Sequence, residues 1–218
     1  MALAIATLGP NEAIKVEPGA MVSHSADVTV QTRAEGGLFG GLKRMFGGES
    51  FFQNEFVAGS QGGEVTLAHS LLGDMGVYEV DQGGLLLKSG AFIASETSVT
   101  FDTQWGGARG FFGGGSLLLL RVGGQGKILV GSYGALEQRV LAPGEQYVVD
   151  TGHIVGFDPS VSFEVRRVGG WRSTILSGEG LVCHLTGPGR VVMQTRSEEA
   201  FLGWLIPRLP KSTDSSDR

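Results

Sequence analysis

The feature that most constrains this chain is a short strand that occurs three times. It reads Val28-Thr29-Val30-Gln31-Thr32, then Val99-Thr100-Phe101-Asp102-Thr103, then Val161-Ser162-Phe163-Glu164-Val165. Apolar and polar residues alternate in all three, the two-residue period of a half-buried strand. The intervals are 71 residues (Val28 to Val99) and 62 residues (Val99 to Val161). A turn with glycine precedes each copy: Pro18-Gly19-Ala20, Ser89-Gly90-Ala91 and Pro143-Gly144-Glu145. A Gly-Gly pair follows each: Gly36-Gly37, Gly106-Gly107 and Gly169-Gly170. A strand pair recurs further on. Residues 51–57 lead to 63–67, 117–122 lead to 126–130, and 181–185 lead to 189–193. The turn glycines Gly63, Gly126 and Gly189 are spaced 63 apart, where glycine supplies positive φ without steric cost. The second strand of each pair is apolar on both faces, which fits a sheet covered above and below.

This pattern predicts an all-β protein with little helix. It is read as three tandem β-sandwich or barrel-like repeats in a pseudo-threefold arrangement, at about 11–72, 73–135 and 136–196. A unit of that size need not be stable alone; together the three would share one body over 1–206 and cover one another's sheet edges. Residues 197–210 form an apolar closing segment, and 211–218 read as a polar, disordered tail. The 37 glycines in 218 residues suit many tight turns, and without a G-X-Y period they do not make collagen.

Several function classes drop out. A net charge of −5 and no basic face argue against nucleic acid as a partner. The one cysteine, Cys183, excludes an internal disulfide framework and a multi-cysteine zinc site, and points to a reducing, cytoplasmic setting. No window approaches the ~20 apolar residues of a membrane helix, and the N-terminus has neither a signal peptide's basic start nor an Arg-rich transit pattern. Gly123-Gly124-Gln125-Gly126-Lys127 lacks the full phosphate-loop spacing, since residue 121 is Arg and residue 128 is Ile. His24, His69, His153 and His184 form no H-x-H or H-x-x-H pair. Cys183 and His184 are adjacent, so a strand sends them to opposite faces; Cys183 falls with Leu181 and Leu185 and reads as a core thiol. No serine sits in a G-x-S-x-G elbow. No enzyme activity, cofactor or metal is expected.

The remaining candidates are apolar. The loop after the first Gly-Gly pair carries Leu38, Phe39, Leu42, Met45 and Phe46, with Lys43 and Arg44 among them. The corresponding later loops carry Phe111 and Phe112, and Trp171. The closing segment carries Trp204. A threefold body would bring the loops to one end, and an exposed apolar patch marks a contact surface. These residues are the predicted partner-binding set, for self-association into a homo-oligomer, a protein partner, or peripheral membrane contact. A ligand-binding β-barrel, for RNA or a small molecule, is the alternative.

The run from Gly36-Gly37-Leu38-Phe39-Gly40-Gly41-Leu42-Lys43-Arg44-Met45-Phe46 through Phe51-Phe52 and Asn54-Glu55-Phe56 resembles a family signature. Gly113 to Ser116 and Gly152-His153-Ile154-Val155-Gly156-Phe157 fit it too. The resemblance is to the altered-inheritance-of-mitochondria protein 24 family, over roughly residues 10–206. It implies a fold like that of the tryptophan RNA-binding attenuation protein, three times per chain. It brings no catalytic residues. Eukaryotic members are linked to mitochondrial inner-membrane organisation; without a presequence, this chain is similar to the bacterial, soluble branch. The expectation is a non-catalytic structural or binding module.

Overall fold

The computed structural model describes residues 2–33, 45–46, 49–50, 53–102, 111–112, 117–167 and 181–210. The first third holds β1 (Ala4–Leu8), β2 (Ala13–Val16), β3 (Met21–His24), β4 (Thr29–Arg33), two short strands β5 (Met45–Phe46) and β6 (Glu49–Ser50), β7 (Gln53–Val57) and β8 (Gly63–Leu67). The second holds β9 (Met75–Val80), β10 (Leu85–Lys88), β11 (Phe92–Glu96), β12 (Val99–Asp102), β13 (Phe111–Phe112), β14 (Leu117–Gly124) and β15 (Gly126–Gly131). The third holds β16 (Leu136–Leu141), β17 (Gln146–Asp150), β18 (Ile154–Phe157), β19 (Ser162–Arg167), β20 (Leu181–Thr186) and β21 (Gly189–Gln194). One short helix, α1 (Glu198–Leu205), follows β21 among the described residues. The protein is all-β, as its alternating pattern predicts.

Turn chemistry sets the strand boundaries. Pro10 and Asn11 are the central residues of the turn from β1 to β2, closed by Glu12 N donating to Gly9 O at 3.1 Å. Asn11 has φ 59°, which a short polar side chain tolerates. Pro143 and Gly144 do the same from β16 to β17, with Glu145 N donating to Ala142 O at 3.0 Å and Gly144 at φ 77°. In both turns the glutamate also folds back as an acceptor: Gly9 N donates to Glu12 Oε2 at 2.6 Å and Ala142 N to Glu145 Oε2 at 2.9 Å.

This corrects one detail of the sequence reading. Gly19 and Gly90 lie between β2 and β3 and between β10 and β11, whereas Gly144 lies one turn earlier in its third. Gly152, inside a 3-10 turn over Thr151–His153, occupies the place the sequence reading gives to Gly144. A second correction concerns the first hairpin. Its positive φ belongs to Gly62 (81°) rather than Gly63, while Gly126 (151°) and Gly189 (144°) carry it in the other two.

All strand ladders are antiparallel and form five sheets among the described residues. The orders are β1-β8-β3, β4-β7-β2-β11-β15-β9, β12-β14-β10-β18-β21-β16 with β13 on β14, β17-β20-β19, and the hairpin β5-β6. Two sheets therefore draw strands from neighbouring thirds, through β2 with β11 and β10 with β18. β3 and β17 each end a three-stranded sheet. Each third strand is bulged: the register skips between Met21 and Ser23, between Phe92 and Ala94, and between Ile154 and Gly156.

The core follows the same continuity. One apolar cluster gathers Val16, Phe56, Val65 and Leu67 with Ile93 and Ala94. A second joins Phe92, Val122 and Ile128 to Val155 and Val192. A third joins Leu86, Leu117 and Leu119 to Phe157, Cys183 and Leu185. Each cluster takes side chains from two adjacent thirds, so apolar burial binds the thirds together as the ladders do.

Candidate interaction surface

The C-terminal segment is built to hold a helix on the surface. Ser197 sits in extended backbone at φ −116° and its side chain accepts from Ala200 N at 3.4 Å, the role of an N-cap serine. Glu198 and Glu199 follow in the first turn, where negative charge suits the helix dipole. Pro207 lies in the 3-10 turn Ile206–Arg208 that ends the segment. The sequence reading treats 197–210 as an apolar closing piece; the serine cap followed by two glutamates is the signal that marks it as a helix.

The platform beneath α1 is a hydrogen-bonded glutamine. Gln194 is buried, its Oε1 accepts from Tyr133 N at 2.9 Å, and its Nε2 donates to Gly152 O at 2.9 Å. His153 Nδ1 donates to Gln194 O at 2.8 Å, since a carbonyl can only accept. Arg196 N donates to Tyr133 O at 3.1 Å. Tyr133 is thereby fixed, and its ring meets Phe201 edge-on at 5.9 Å. Phe201 stacks on Trp204 at 6.2 Å. The Arg208 guanidinium lies 4.7 Å from the Trp204 ring centre and donates from Nη1 to Trp204 O at 2.6 Å.

No side chain of α1 is buried. Phe201, Leu202 and Trp204 are 42%, 47% and 54% exposed, and Ile206 and Leu209 beyond the helix are more than half exposed. A surface helix of a globular protein ordinarily buries an apolar stripe. This one shows its apolar side chains to solvent.

Of the residues predicted as partner-binding, only Trp204 has a described side chain, and it is on this surface. Leu38, Phe39, Leu42, Lys43, Arg44 and Trp171 lie outside the described residues. Met45 and Phe46 form β5 and pair with Ser50 and Glu49. Phe111 and Phe112 form β13 against Leu118 and Leu117; for these four only the backbone is described. Tyr133, Gln194 and Arg208 are absent from the sequence reading, because nothing in their local pattern marks them. A second group of exposed apolar residues, Met21 and Val22 on β3 and Val148 on β17, was equally illegible.

The β17-β20-β19 sheet carries a polar recess of about 260 Å³, lined by Gln146, Ser162, Glu164, Arg166, His184 and Thr186 among others. Glu164 and Arg166 form an ion pair there, and the Arg166 guanidinium holds the Glu164 carboxyl below its ordinary range. Cys183 lies on β20, on the opposite face from its neighbour His184, and is fully buried. Burial pushes its thiol up to about 12, so it stays protonated at neutral pH and is a poor nucleophile. Among the described residues no three His, Cys, Asp or Glu side chains converge to hold a metal ion. Among them also, no helix is long and apolar enough to cross a membrane.

Comparison with known proteins gives concordant relatives. The family described as Mitochondrial biogenesis AIM24 matches residues 1–196. An uncharacterized protein of Streptococcus pyogenes serotype M6 is 27% identical over 210 residues, spanning 92% of this chain and 84% of that protein. A protein of Streptococcus pyogenes known from a crystal structure is similar in fold, with a TM-score of 0.78 and 27% identity. That alignment covers 95% of this chain and 94% of the other.

Proposed function

The chain belongs to the AIM24 family, and we propose that it serves there as a non-catalytic assembly module that offers an apolar surface to a protein partner. The observation that carries this reading is α1 with the turn after it. Phe201, Leu202, Trp204, Ile206 and Leu209 are all exposed within nine residues. Contiguous exposure of this kind marks a contact, and tryptophan and arginine are the residues that most often anchor one. Arg208 flat against Trp204 presents both as one platform. Glu198 and Glu199 at the head of the helix would be repelled by an anionic bilayer, which favours protein over lipid. The free buried thiol of Cys183 suits a reducing, cytoplasmic setting.

A photo-crosslinker placed at Leu202 in cells is expected to trap a defined protein adduct. Trp204→Asp should abolish the adduct while leaving the melting temperature unchanged, because no α1 side chain is core. Absence of an adduct, together with binding of the protein to phosphatidylserine vesicles, would refute the reading in favour of a membrane surface.

Ligand binding is the competing reading, and the polar recess at Glu164 and Arg166 is where it would reside. Its small volume and polar lining are unlike the mostly apolar pockets of about 300–1,000 Å³ that hold small molecules. A small molecule retained in native mass spectrometry and lost in Arg166→Ala would favour it.

A further inference from the structure

We propose that the protein partner of α1 is a second copy of this chain, bound through an antiparallel pair of α1 helices that cross at Gly203 about a twofold axis. This rests on the preceding reading of α1 as a protein contact and names its partner, and the two can fail separately.

Gly203 points to a close neighbour. It lies inside α1, and glycine is among the least favourable residues in a helix interior. Other glycines of the chain have a local reason to be there. Gly62, for example, combines φ 81° with the Leu8 carbonyl oxygen 2.6 Å from where a Cβ would stand. Gly203 has neither feature. Its φ is not positive, and a Cβ at this position would meet nothing within 4 Å. The packing of the single chain therefore does not call for glycine here. Ala200, one turn earlier, is small and exposed as well. A helix that lacks a side chain on its open side lets a second backbone come close, because side chains at the contact set the distance between helix axes.

Charge supplies the direction and identifies the occupant. Glu198 and Glu199 open the helix, and Arg208 closes the turn that follows it. Glu198 and Arg208 each lie five residues from Gly203. Two copies crossing antiparallel at Gly203 set the acidic head of one against the basic tail of the other, once at each end. A parallel crossing would set head beside head. Among the described residues, none of these three side chains has an ion-pair partner in its own chain. Arg208 gives one N–H to Trp204 O and lays its guanidinium on the Trp204 ring. Its other N–H groups remain for a carboxylate. The dipoles of antiparallel helices also bring opposite ends together.

The apolar residues suit the same arrangement. Ile206 keeps right-handed helical backbone at φ −55° and ψ −44°, so it extends the line of α1. It and Ala200 each lie three residues from Gly203, so a crossing at Gly203 sets the exposed Ile206 of one copy across from Ala200 of the other. Leu202 and Trp204, on either side of Gly203, face each other in the same way. Large side chains then meet small ones around the crossing point, as packed helices require. An isologous contact uses one patch twice, and α1 carries both halves of what the contact needs: acid with base, and bulk with space.

Gly203→Cys carries the test, because a thiol at the crossing point lies against its own copy while the native thiol is buried. Mild oxidation of the purified full chain should give a disulfide-linked dimer, formed at least about tenfold faster than with Glu137→Cys, an exposed position on β16. Adding Arg208→Glu to Gly203→Cys should slow the linkage at least about tenfold, and so should adding Glu198→Arg with Glu199→Arg, since each makes the two ends alike in charge. Mixing those two proteins should restore the fast linkage as a one-to-one product, resolved by mass. Melting temperatures should stay at the parent value, because no side chain of α1 is buried. Equal rates at the two cysteine positions, or no restored product on mixing, would overturn the proposal. The photo-crosslinker at Leu202 separates the two readings. An adduct of twice the chain mass supports both, an adduct with a different protein overturns self-pairing and leaves the contact reading standing, and no adduct overturns both.

Discussion

Replacing Gln194 with leucine tests the platform beneath α1. The substitution keeps the bulk of a buried side chain and removes two hydrogen bonds, from Tyr133 N at 2.9 Å and to Gly152 O at 2.9 Å. Tyr133 is itself buried, so its N–H would be left unpaired away from water. An unsatisfied buried polar group costs about 1–3 kcal/mol, and two of them about 2–6 kcal/mol, offset in part by the better burial of leucine. A net loss of roughly 3 kcal/mol would lower the melting temperature by about 6–12 °C for a chain of this length. Differential scanning calorimetry measures this directly. Tryptophan emission follows the local consequence, because Phe201 rests on Tyr133 and Trp204 on Phe201. Gln194→Glu separates the two bonds. It keeps the acceptor for Tyr133 N but sets a carboxylate against Gly152 O. Burial without a cationic partner would raise that carboxyl's pKa in the folded state, so its stability should be present at low pH and fall as pH rises through the raised value. A Gln194→Leu protein that melts within about 1 °C of the parent would refute the reasoning, since that corresponds to well under 1 kcal/mol.

Three further outcomes follow from burial. Cys183, with its thiol pushed up to about 12 by burial, should be inert to an aromatic disulfide reagent at pH 8 in the native protein and react stoichiometrically in guanidinium; rapid native reaction would contradict the described packing. Ile93→Ala should cost about 2–5 kcal/mol in urea unfolding, because its side chain is fully buried where two thirds of the chain meet. Val22→Ala, on β3 where the side chain is exposed, should cost within about 0.5 kcal/mol; equal losses would contradict the difference in environment.

Local pattern revealed strands and concealed their partners. The alternation at Val99-Thr100-Phe101-Asp102 is legible because burial runs buried-exposed-buried-exposed along β12, which is what a period of two records. The Gly126 and Gly189 hairpins are legible because their backbone demands positive φ. The ladder between residues 14–16 and 94–96 leaves no such mark, since register between strands some 80 residues apart is written in no short window. β10, Leu85–Lys88, is buried on both faces, so it has no alternation to read. Pro143-Gly144 looks like Pro18-Gly19 in sequence but lies between β16 and β17, while the turn from β17 to β18, Thr151-Gly152-His153, winds as a 3-10 turn without positive φ. At the surface, Trp204 is legible as part of the apolar closing segment 197–210. Met21, Val22 and Val148 look like core residues in sequence, yet each lies on a strand that ends its sheet among the described residues and is exposed.

Sheets that run unbroken from one third of the chain into the next have a consequence for how the molecule comes apart. A cut at Gly73 would leave β2 without β11 and strand Ile93 and Ala94 outside their cluster. A cut near Ala135 would do the same to β10 and β18. Neither excision yields a fragment with a finished core, so the chain offers no natural place for truncation. Opening one third withdraws hydrogen bonds from its neighbour, which makes denaturation a concerted event rather than a sequence of independent steps. Amides in β10, β11, β15 and β18, spread across the two shared sheets, should then exchange with solvent together and only through global unfolding.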